Sequence, residues 1–355
     1  MTTTGAPLRV AHASGLHSVN RVLNEMHQEM LRVGGGLDRG AVRLCVLNLV
    51  AACVDPGSAE LAAQAVGRLG AKHPARAIVL LADPAAPEQL EADLSLQCSA
   101  VDPGQVCAEL VRLVVGGEAA YHLASVVTPL LVPDIKTYLW LVGSPPLAQA
   151  FGQDAIAICE GLIVDSGAYD DRTGTLRTLA DELESVGDAV SLSDIAWERG
   201  RIWRELIAQS FEGERVRAFL RGITRVDVEC AGDRVTAQAW LVAGWLASRL
   251  GWTGADRRRV MAASRQFDAV AGRDLARVAL HCSVDEHSAL ITLERRGMAL
   301  HSVIDVDGGI SAERTVPVND LDVVDLVGSL LENDGDDPVY RASLRSAAEL
   351  SASAP

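Results

Sequence analysis

Apolar positions follow two rhythms along this chain. In SVNRVLNEMHQEMLRV (18–33), Val19, Val22, Leu23, Met26 and Met30 recur at helical spacing, the stripe of an amphipathic helix. Gly34-Gly35-Gly36 then stops it and acts as a hinge. Beyond residue 42 the apolar residues come in short unbroken runs. VRLCVLNLVAACV (42–54) and AIVLLAD (77–83) read as buried strands. SAELAAQAVGRLG (58–70), between them, reads as a helix capped by Ser58 with Gly70 near its end. Segments 91–101 and 105–115 read as a hairpin joined by Asp102-Pro103-Gly104. LASVVTPLL (123–131) is a short helix interrupted near Pro129. TYLWLVG (137–143) and CEGLIVDS (159–166) are strands with a helix between them, and 172–186 is another helix. Strands alternating with helices predict a doubly wound, mostly parallel sheet, which the hairpin makes mixed.

After about residue 222 the rhythm changes. GITRVDVECAG reads as a strand, and VTAQAWLVAGWLASRLGW (235–252) as a helix apolar on every face and therefore buried. RVALHCSV, ALITLERRG, ALHSVIDVDGG and RTVPV follow in quick succession, with a hairpin signal at Asp307-Gly308; they predict an antiparallel sheet. LDVVDLVGSLLE (321–332) is a helix capped by Asn319 or Asp320, and the polar end is expected to be partly disordered at its last residues. The expected fold class is α/β: an N-terminal doubly wound mixed sheet with flanking helices, then a smaller α+β domain with an antiparallel sheet. The expected division is an N-terminal helix and hinge (1–36), an α/β domain (37–212), an α+β domain (213–335) and a polar tail (336–355).

The 355 residues carry a net charge of −15, which argues against a general nucleic-acid binder. No apolar run is long enough to cross a bilayer, and the start of the chain has no secretory h-region, so a cytoplasmic location is expected. Lys72 and Lys136 are the only lysines. The seven cysteines are scattered, odd in number and never spaced C-x-x-C. They read as buried thiols of a reduced protein, the alternative being a redox role for Cys98 with Cys107.

Catalytic signatures are few. Phosphate-loop, dinucleotide, G-x-S-x-G and H-E-x-x-H patterns are absent, so no cofactor is expected. His281, His287 and His301 lie in the predicted antiparallel sheet and read as structural rather than metal ligands. Lys72-His73-Pro74-Ala75-Arg76 concentrates positive charge in an acidic chain, and Lys72, His73 and Arg76 could hold a phosphate or carboxylate; the alternative is a solvated loop entering a strand.

DIAWERGRIWRELIAQSF (194–211) holds two of the six tryptophans. Ser193 or Asp194 can cap a helix whose broad apolar face combines Ile195, Ile202, Trp203, Leu206, Ile207 and Phe211. Glu198, Arg201 and Glu205 can pair along the opposite side. Arg199 lies one turn from Trp203 and could stack on it, whereas Arg204 diverges from Trp203. Two readings stand: the tryptophans anchor the helix, or Asp194, Trp197, Arg199, Trp203 and Arg204 form a recognition face, since tryptophan and arginine are enriched at binding hot spots.

Four stretches then occur in a telling order: VVTPLLVPDIKTYLWLVGSPP (126–146), LIVDS (162–166), DIAWERGRIWRELIAQSF and AWLVAGWLASRLGW (239–252). Together with HPAR (73–76) they resemble the OpcA family of glucose-6-phosphate dehydrogenase assembly proteins, over about residues 15 to 320. Pro133, Asp134, Trp140, Asp165, Trp240 and Trp245 are the structural positions of those motifs. The resemblance implies a non-catalytic protein that binds glucose-6-phosphate dehydrogenase, promotes its active oligomer and acts as an allosteric effector, supporting the oxidative pentose phosphate pathway and NADPH supply. The competing reading is a sugar-phosphate enzyme or sensor, such as a phosphogluconolactonase-like hydrolase, using loop 72–76. An intermediate one is an activator that also binds a sugar phosphate or NADP.

Overall fold

The computed structural model describes residues 9–33, 41–42, 45–70, 72–101, 104–143, 154, 156–168, 175–186, 190–267, 275–319, 321–333 and 335–352. They form two compact units, each assembled from separated stretches. The first combines Met1–Asp165, Val186–Ser193 and Val323–Asp336; the second combines Ser166–Ser185, Asp194–Asp322 and Asp337–Pro355. The linear boundaries expected after 36, 212 and 335 do not match this division. The reason is physical: an amphipathic helix does not declare in its own sequence which core will cover it.

The first unit is built on a nine-stranded mixed sheet among the described residues. Its strands are β1 (Arg9–Ser14), β2 (Ala41–Val42), β3 (Leu47–Cys53), β4 (Ala75–Asp83), β5 (Gln89–Val101), β6 (Gly104–Gly116), β7 (Thr137–Leu141), β8 (Gly161–Val164) and β9 (Ser191–Asp194). The order is β1-β5-β6-β4-β3-β7-β8-β9, with β2 beside β6. Parallel pairing joins β6, β4, β3, β7 and β8, and the β5–β6 hairpin and β1 are antiparallel. Every residue of β3 is buried, as parallel strands covered on both faces require.

Helices α1 (Leu16–Val33), α2 (Pro56–Leu69), α3 (Leu123–Val127) and α9 (Val323–Glu332) flank this sheet. Asp55, not Ser58, caps α2, accepting from the Ser58 N–H at 2.9 Å, with Pro56 starting the helix. The pleat sends alternate residues to opposite faces. Leu49 and Ala77 share a small pocket with Val66 and Leu69 of α2, whereas Arg76 faces α1 through Glu109 and His27. The expected hinge at 34–36, turn residues Asp102 and Pro103 and most of the helix expected between β7 and β8 lie outside the described residues.

The second unit holds a six-stranded sheet of β10 (Ile223–Ala231), β11 (Val260–Arg265), β12 (Leu275–Val284), β13 (His287–Arg296), β14 (Ala299–Val306) and β15 (Gly309–Pro317), ordered β11-β10-β12-β13-β14-β15. It is antiparallel except for the β10–β11 pair. β11 has no strand signal in the sequence, because its residues alternate only between half-buried and exposed. Asp307 and Gly308 both take positive φ, 54° and 80°, as the predicted two-residue hairpin demands.

Helices of this unit are α4 (Thr175–Val186, to Ser185), α5 (Ile195–Arg199), α6 (Arg201–Ser210), α7 (Glu214–Arg217), α8 (Ala237–Leu250) and α10 (Pro338–Ala352). α8 is buried along most of its length, capped by Thr236 and closed by left-handed Gly251. Its Gly244 lies against the Ser343 carbonyl and Ala347 of α10, with no room for a Cβ. The polar tail expected over 336–355 is mostly this ordered α10, with Tyr340, Leu344, Ala347 and Ala348 buried; the last residues, 353–355, where partial disorder is expected, lie outside the described set.

Cys53, Cys159, Cys230 and Cys282 are free and buried, and Cys45 is half-buried. The side chains of Cys98 and Cys107 lie outside the described residues, although the two are register partners in the hairpin. Burial pushes the thiols of Cys53, Cys159 and Cys282 from 9.0 up to about 12. That lowers the reactive thiolate population about a thousandfold at neutral pH. We expect iodoacetamide to label these three in the unfolded chain but not in the native one, as read by peptide mass mapping. Labelling of native Cys53 at the rate of an exposed thiol would contradict this burial.

Candidate functional site

The tryptophan-rich segment folds as two short helices bent at Gly200. Asp194 ends β9 and caps α5. Its Oδ1 accepts from the N–H groups of Ala196 at 2.9 Å and Ser166 at 3.1 Å, and its Oδ2 accepts from the Tyr340 hydroxyl at 2.9 Å. The carboxylate is 0 % exposed, so these donors replace its water.

Trp197 continues the same junction. Its Nε1 donates to Asp337 Oδ2 at 3.0 Å, and Asp337 Oδ1 caps α10 by accepting from the N–H groups of Val339 and Tyr340. The Trp197 and Tyr340 rings lie 5.6 Å apart. Across Gly200, the Arg204 guanidinium stacks 3.3 Å over the Trp197 ring and donates from Nη1 to the Trp197 carbonyl at 2.6 Å. Burial lowers Arg204 to about 10, with Glu198, Asp337 and Glu205 opposing that shift, so it stays a cation at neutral pH.

Trp203 is buried. Asp194, Trp197 and Trp203 are therefore inside the unit, and the anchoring reading accounts for them. Arg199 and Arg204 are half-buried, and Arg201 and Glu205 are exposed. Arg201 lies 3.3 Å from Glu198 and 3.8 Å from Glu205, the pairing that the sequence spacing predicts.

Sequence reasoning missed Asp337 and Tyr340. A signal was present: Asp337-Pro338 is a helix start, and Tyr340, Leu344 and Ala347 fall at helical spacing behind it.

Beside α6 lies a cleft of about 430 Å³. Trp203, Leu275 and Leu300 give it apolar walls, and Arg199, Arg201 and Arg295 line it with charge. The cleft lies wholly within the second unit.

The basic loop 72–76 is organised differently from the anion cradle considered above. Arg76 is 3 % exposed; its Nε pairs with the buried Glu109 carboxylate and its Nη1 donates to the Leu130 carbonyl at 2.6 Å. His73 Nε2 lies 3.6 Å from Glu332, and Lys72 is exposed. The guanidinium is thus held inside the unit rather than presented to a ligand. The loop also stands at the amino end of β4, whereas open α/β sheets bind ligands beyond the carboxyl ends of their strands.

The motif residues of the first unit have local roles. Asn48 of β3 donates to the Val132 carbonyl and accepts from the Val132 N–H, both at 2.9 Å. That fixes the turn of Pro133 and Asp134, where Asp134 takes φ 62°, before Trp140 enters the core on β7. Asp165 follows β8 and is half-buried; Trp240 is buried and Trp245 half-buried on α8. His281, His287 and His301 pair separately, with Asp227, Asp307 and Thr315.

Comparison with known proteins bears on the whole of this architecture. Two domain models of one family match in order: the glucose-6-phosphate dehydrogenase subunit N-terminal domain over residues 66–181 and its C-terminal domain over 190–344. The chain is 30 % identical over 184 residues to the OpcA protein of Nostoc punctiforme, covering 51 % of this chain and 39 % of that protein. It is 28 % identical over 188 residues to OpcA of Synechocystis sp., covering 52 % and 39 %. It is 26 % identical over 187 residues to OpcA of Synechococcus elongatus, covering 52 % and 41 %. All three relatives are named for the OxPP cycle, and the chain spans less than half of their length. With both domains of a single family in sequence order along it, the chain belongs to the OpcA family.

Proposed function

We propose that the chain is a non-catalytic partner of glucose-6-phosphate dehydrogenase that promotes its active oligomer and activates it allosterically, supporting the oxidative pentose phosphate pathway and NADPH supply. The observation that carries this reading is the ordered match to both dehydrogenase-subunit domains across residues 66 to 344. It implies a cytoplasmic setting, alongside the dehydrogenase. An activator needs no nucleophile or general base of its own. It needs higher affinity for the partner's active state than for the inactive one.

The residues proposed for contact divide by exposure. Asp194, Trp197 and Trp203 hold α5 and α6 in place, and Arg204 is committed to the Trp197 ring. Arg199 lines the cleft and is half-buried, as Arg204 is, and we propose it as the residue of the five to test first. Mixing the chain with the dehydrogenase of the same organism should raise the rate of NADPH formation and shift the dehydrogenase to a larger species in size-exclusion chromatography. Arg199→Ala should weaken the activating concentration about tenfold or more while leaving the melting temperature of the chain unchanged. Unchanged rate and unchanged elution on mixing would reject the proposal.

A further inference from the structure

We infer that Cys98 and Cys107 are a covalent modification site, a dithiol that closes to a reversible disulfide across the β5–β6 hairpin. Backbone placement carries this. The two strands pair antiparallel from Gln89↔Gly116 to Val101↔Gly104 with no shift of register, and Cys98 stands directly opposite Cys107. Opposite positions of a pleated pair belong to one face of the sheet.

The rung is of the kind that admits a bridge. Opposite residues of an antiparallel pair alternate between two types. One type exchanges backbone hydrogen bonds, with Cα atoms about 5.5 Å apart; the other does not, with Cα atoms about 4.5 Å apart. The Leu90 carbonyl accepts from the Gly15 N–H at 3.2 Å, so the backbone groups of Leu90 turn away from Val115, its partner in β6. Cys98 lies an even number of positions from Leu90 on the unbroken register, so Cys98 and Cys107 are also a pair of the closer type. A separation of ~4.5 Å is at the short end of the ~4.4–6.8 Å that a disulfide spans between Cα atoms.

The rung also stands clear of the main body of the sheet. β1 pairs with β5 only as far as Leu96, and β4 pairs with β6 only as far as Glu109. Beyond both, the hairpin continues as an arm, beside which β2 pairs with Gln105 and Val106. A crosslink between Cys98 and Cys107 ties the two strands together where those neighbours no longer hold them.

No other cysteine has this placement among the described residues. In register, Cys53 faces Leu81, Cys230 faces Leu275 and Cys282 faces Ala289. Cys53, Cys159 and Cys282 are buried, with thiols pushed up to about 12, so they supply little of the thiolate that disulfide exchange requires.

The oxidant is a small-molecule disulfide, such as oxidised glutathione. One cysteine thiolate attacks its S–S bond, forming a mixed disulfide and releasing one glutathione thiolate. The second cysteine thiolate then attacks the protein sulfur of the mixed disulfide, forming the Cys98–Cys107 bond and releasing the other glutathione. The two cysteines give up two protons and two electrons, and the oxidant leaves as two thiols.

The isolated full chain tests this without the dehydrogenase. It is equilibrated in glutathione buffers of graded potential, its free thiols are trapped with N-ethylmaleimide, and its peptides are mapped without reduction. A protease that cuts before aspartate separates the two cysteines at Asp102. The expected product is a peptide pair linking Cys98 to Cys107, which dithiothreitol separates. The native fold should favour this bond about tenfold or more over the urea-unfolded chain, lowering its midpoint potential by about 30 mV or more. Cys98→Ser and Cys107→Ser should each lose the link and carry glutathione on the cysteine that remains, with circular dichroism confirming the fold and alanine replacing serine where the strand is disturbed. Absence of the link in the folded chain at the most oxidising potential would overturn the inference. So would a link from either residue to another cysteine, or an equal midpoint in the native and unfolded chains.

Discussion

Asp194→Ala should cost the second unit about 3–5 kcal/mol, because it strands three buried donors at once. The N–H groups of Ser166 and Ala196 and the hydroxyl of Tyr340 all converge on this carboxylate. A stranded buried donor costs ~1–3 kcal/mol, and a hydrogen bond to a charged group contributes more than a neutral one. Against a total of ~5–15 kcal/mol for a typical domain, such a loss brings the unit close to unfolding at ambient temperature.

Milder variants keep the argument measurable. Asp194→Asn retains one acceptor oxygen and the side-chain shape, so it should cost about half as much. Tyr340→Phe removes one donor and leaves the two N–H bonds intact, for about 1–2 kcal/mol. Denaturant unfolding followed by tryptophan fluorescence reads the right unit, since Trp197, Trp203, Trp240, Trp245 and Trp252 all belong to it. The order Ala, then Asn, then Phe is the expected ranking. An alanine variant as stable as the native chain would mean that the carboxylate does not bind these groups in solution.

This junction also marks where the sequence stopped being legible. Apolar runs and turn residues were enough to read β3, β4, the β5–β6 hairpin and β12 to β15, because each is a local pattern with local punctuation. They were enough for α8 as well, where Thr236 and Gly251 bracket an apolar stretch. What local patterns cannot carry is pairing over distance. Trp197 meets Asp337 across 140 positions and Asp194 meets Tyr340 across 146, and nothing near either end of these pairs names the other. The stacking of Arg204 on Trp197 was missed for a different reason: a single straight helix was assumed, and the bend at Gly200 brings the i and i+7 side chains together. The sequence shows the charge of the basic loop but not the buried Glu109, 33 positions on, that takes up its arginine. The family resemblance was legible because it rested on long stretches, and both of its domains are matched.

That buried glutamate supports the second large prediction. Glu109 on β6 and Arg76 on β4 are register partners, 0 % and 3 % exposed. The Glu109 carboxylate also meets His27 Nε2 of α1 at 2.6 Å. Glu109→Leu leaves a guanidinium buried without its counter-charge, and should cost the first unit about 3–5 kcal/mol. Arg76→Met should cost less, because the carboxylate left behind keeps His27 as a partner and can also take up a proton. The informative variant is the double one. A buried ion pair is dear to desolvate, so replacing both partners by apolar side chains of similar size is often neutral or better. We therefore expect Arg76→Met/Glu109→Leu to recover most of the loss of Glu109→Leu, although it still leaves His27 and the Leu130 carbonyl without their bonds. Unfolding by urea, followed by far-ultraviolet circular dichroism, measures all three variants. If the double variant costs the sum of the two single ones, the pair is not coupled, and Arg76 would again be a cation available to a ligand at loop 72–76. If it recovers, Arg76 serves to tie two strands to α1 rather than to hold a ligand at loop 72–76.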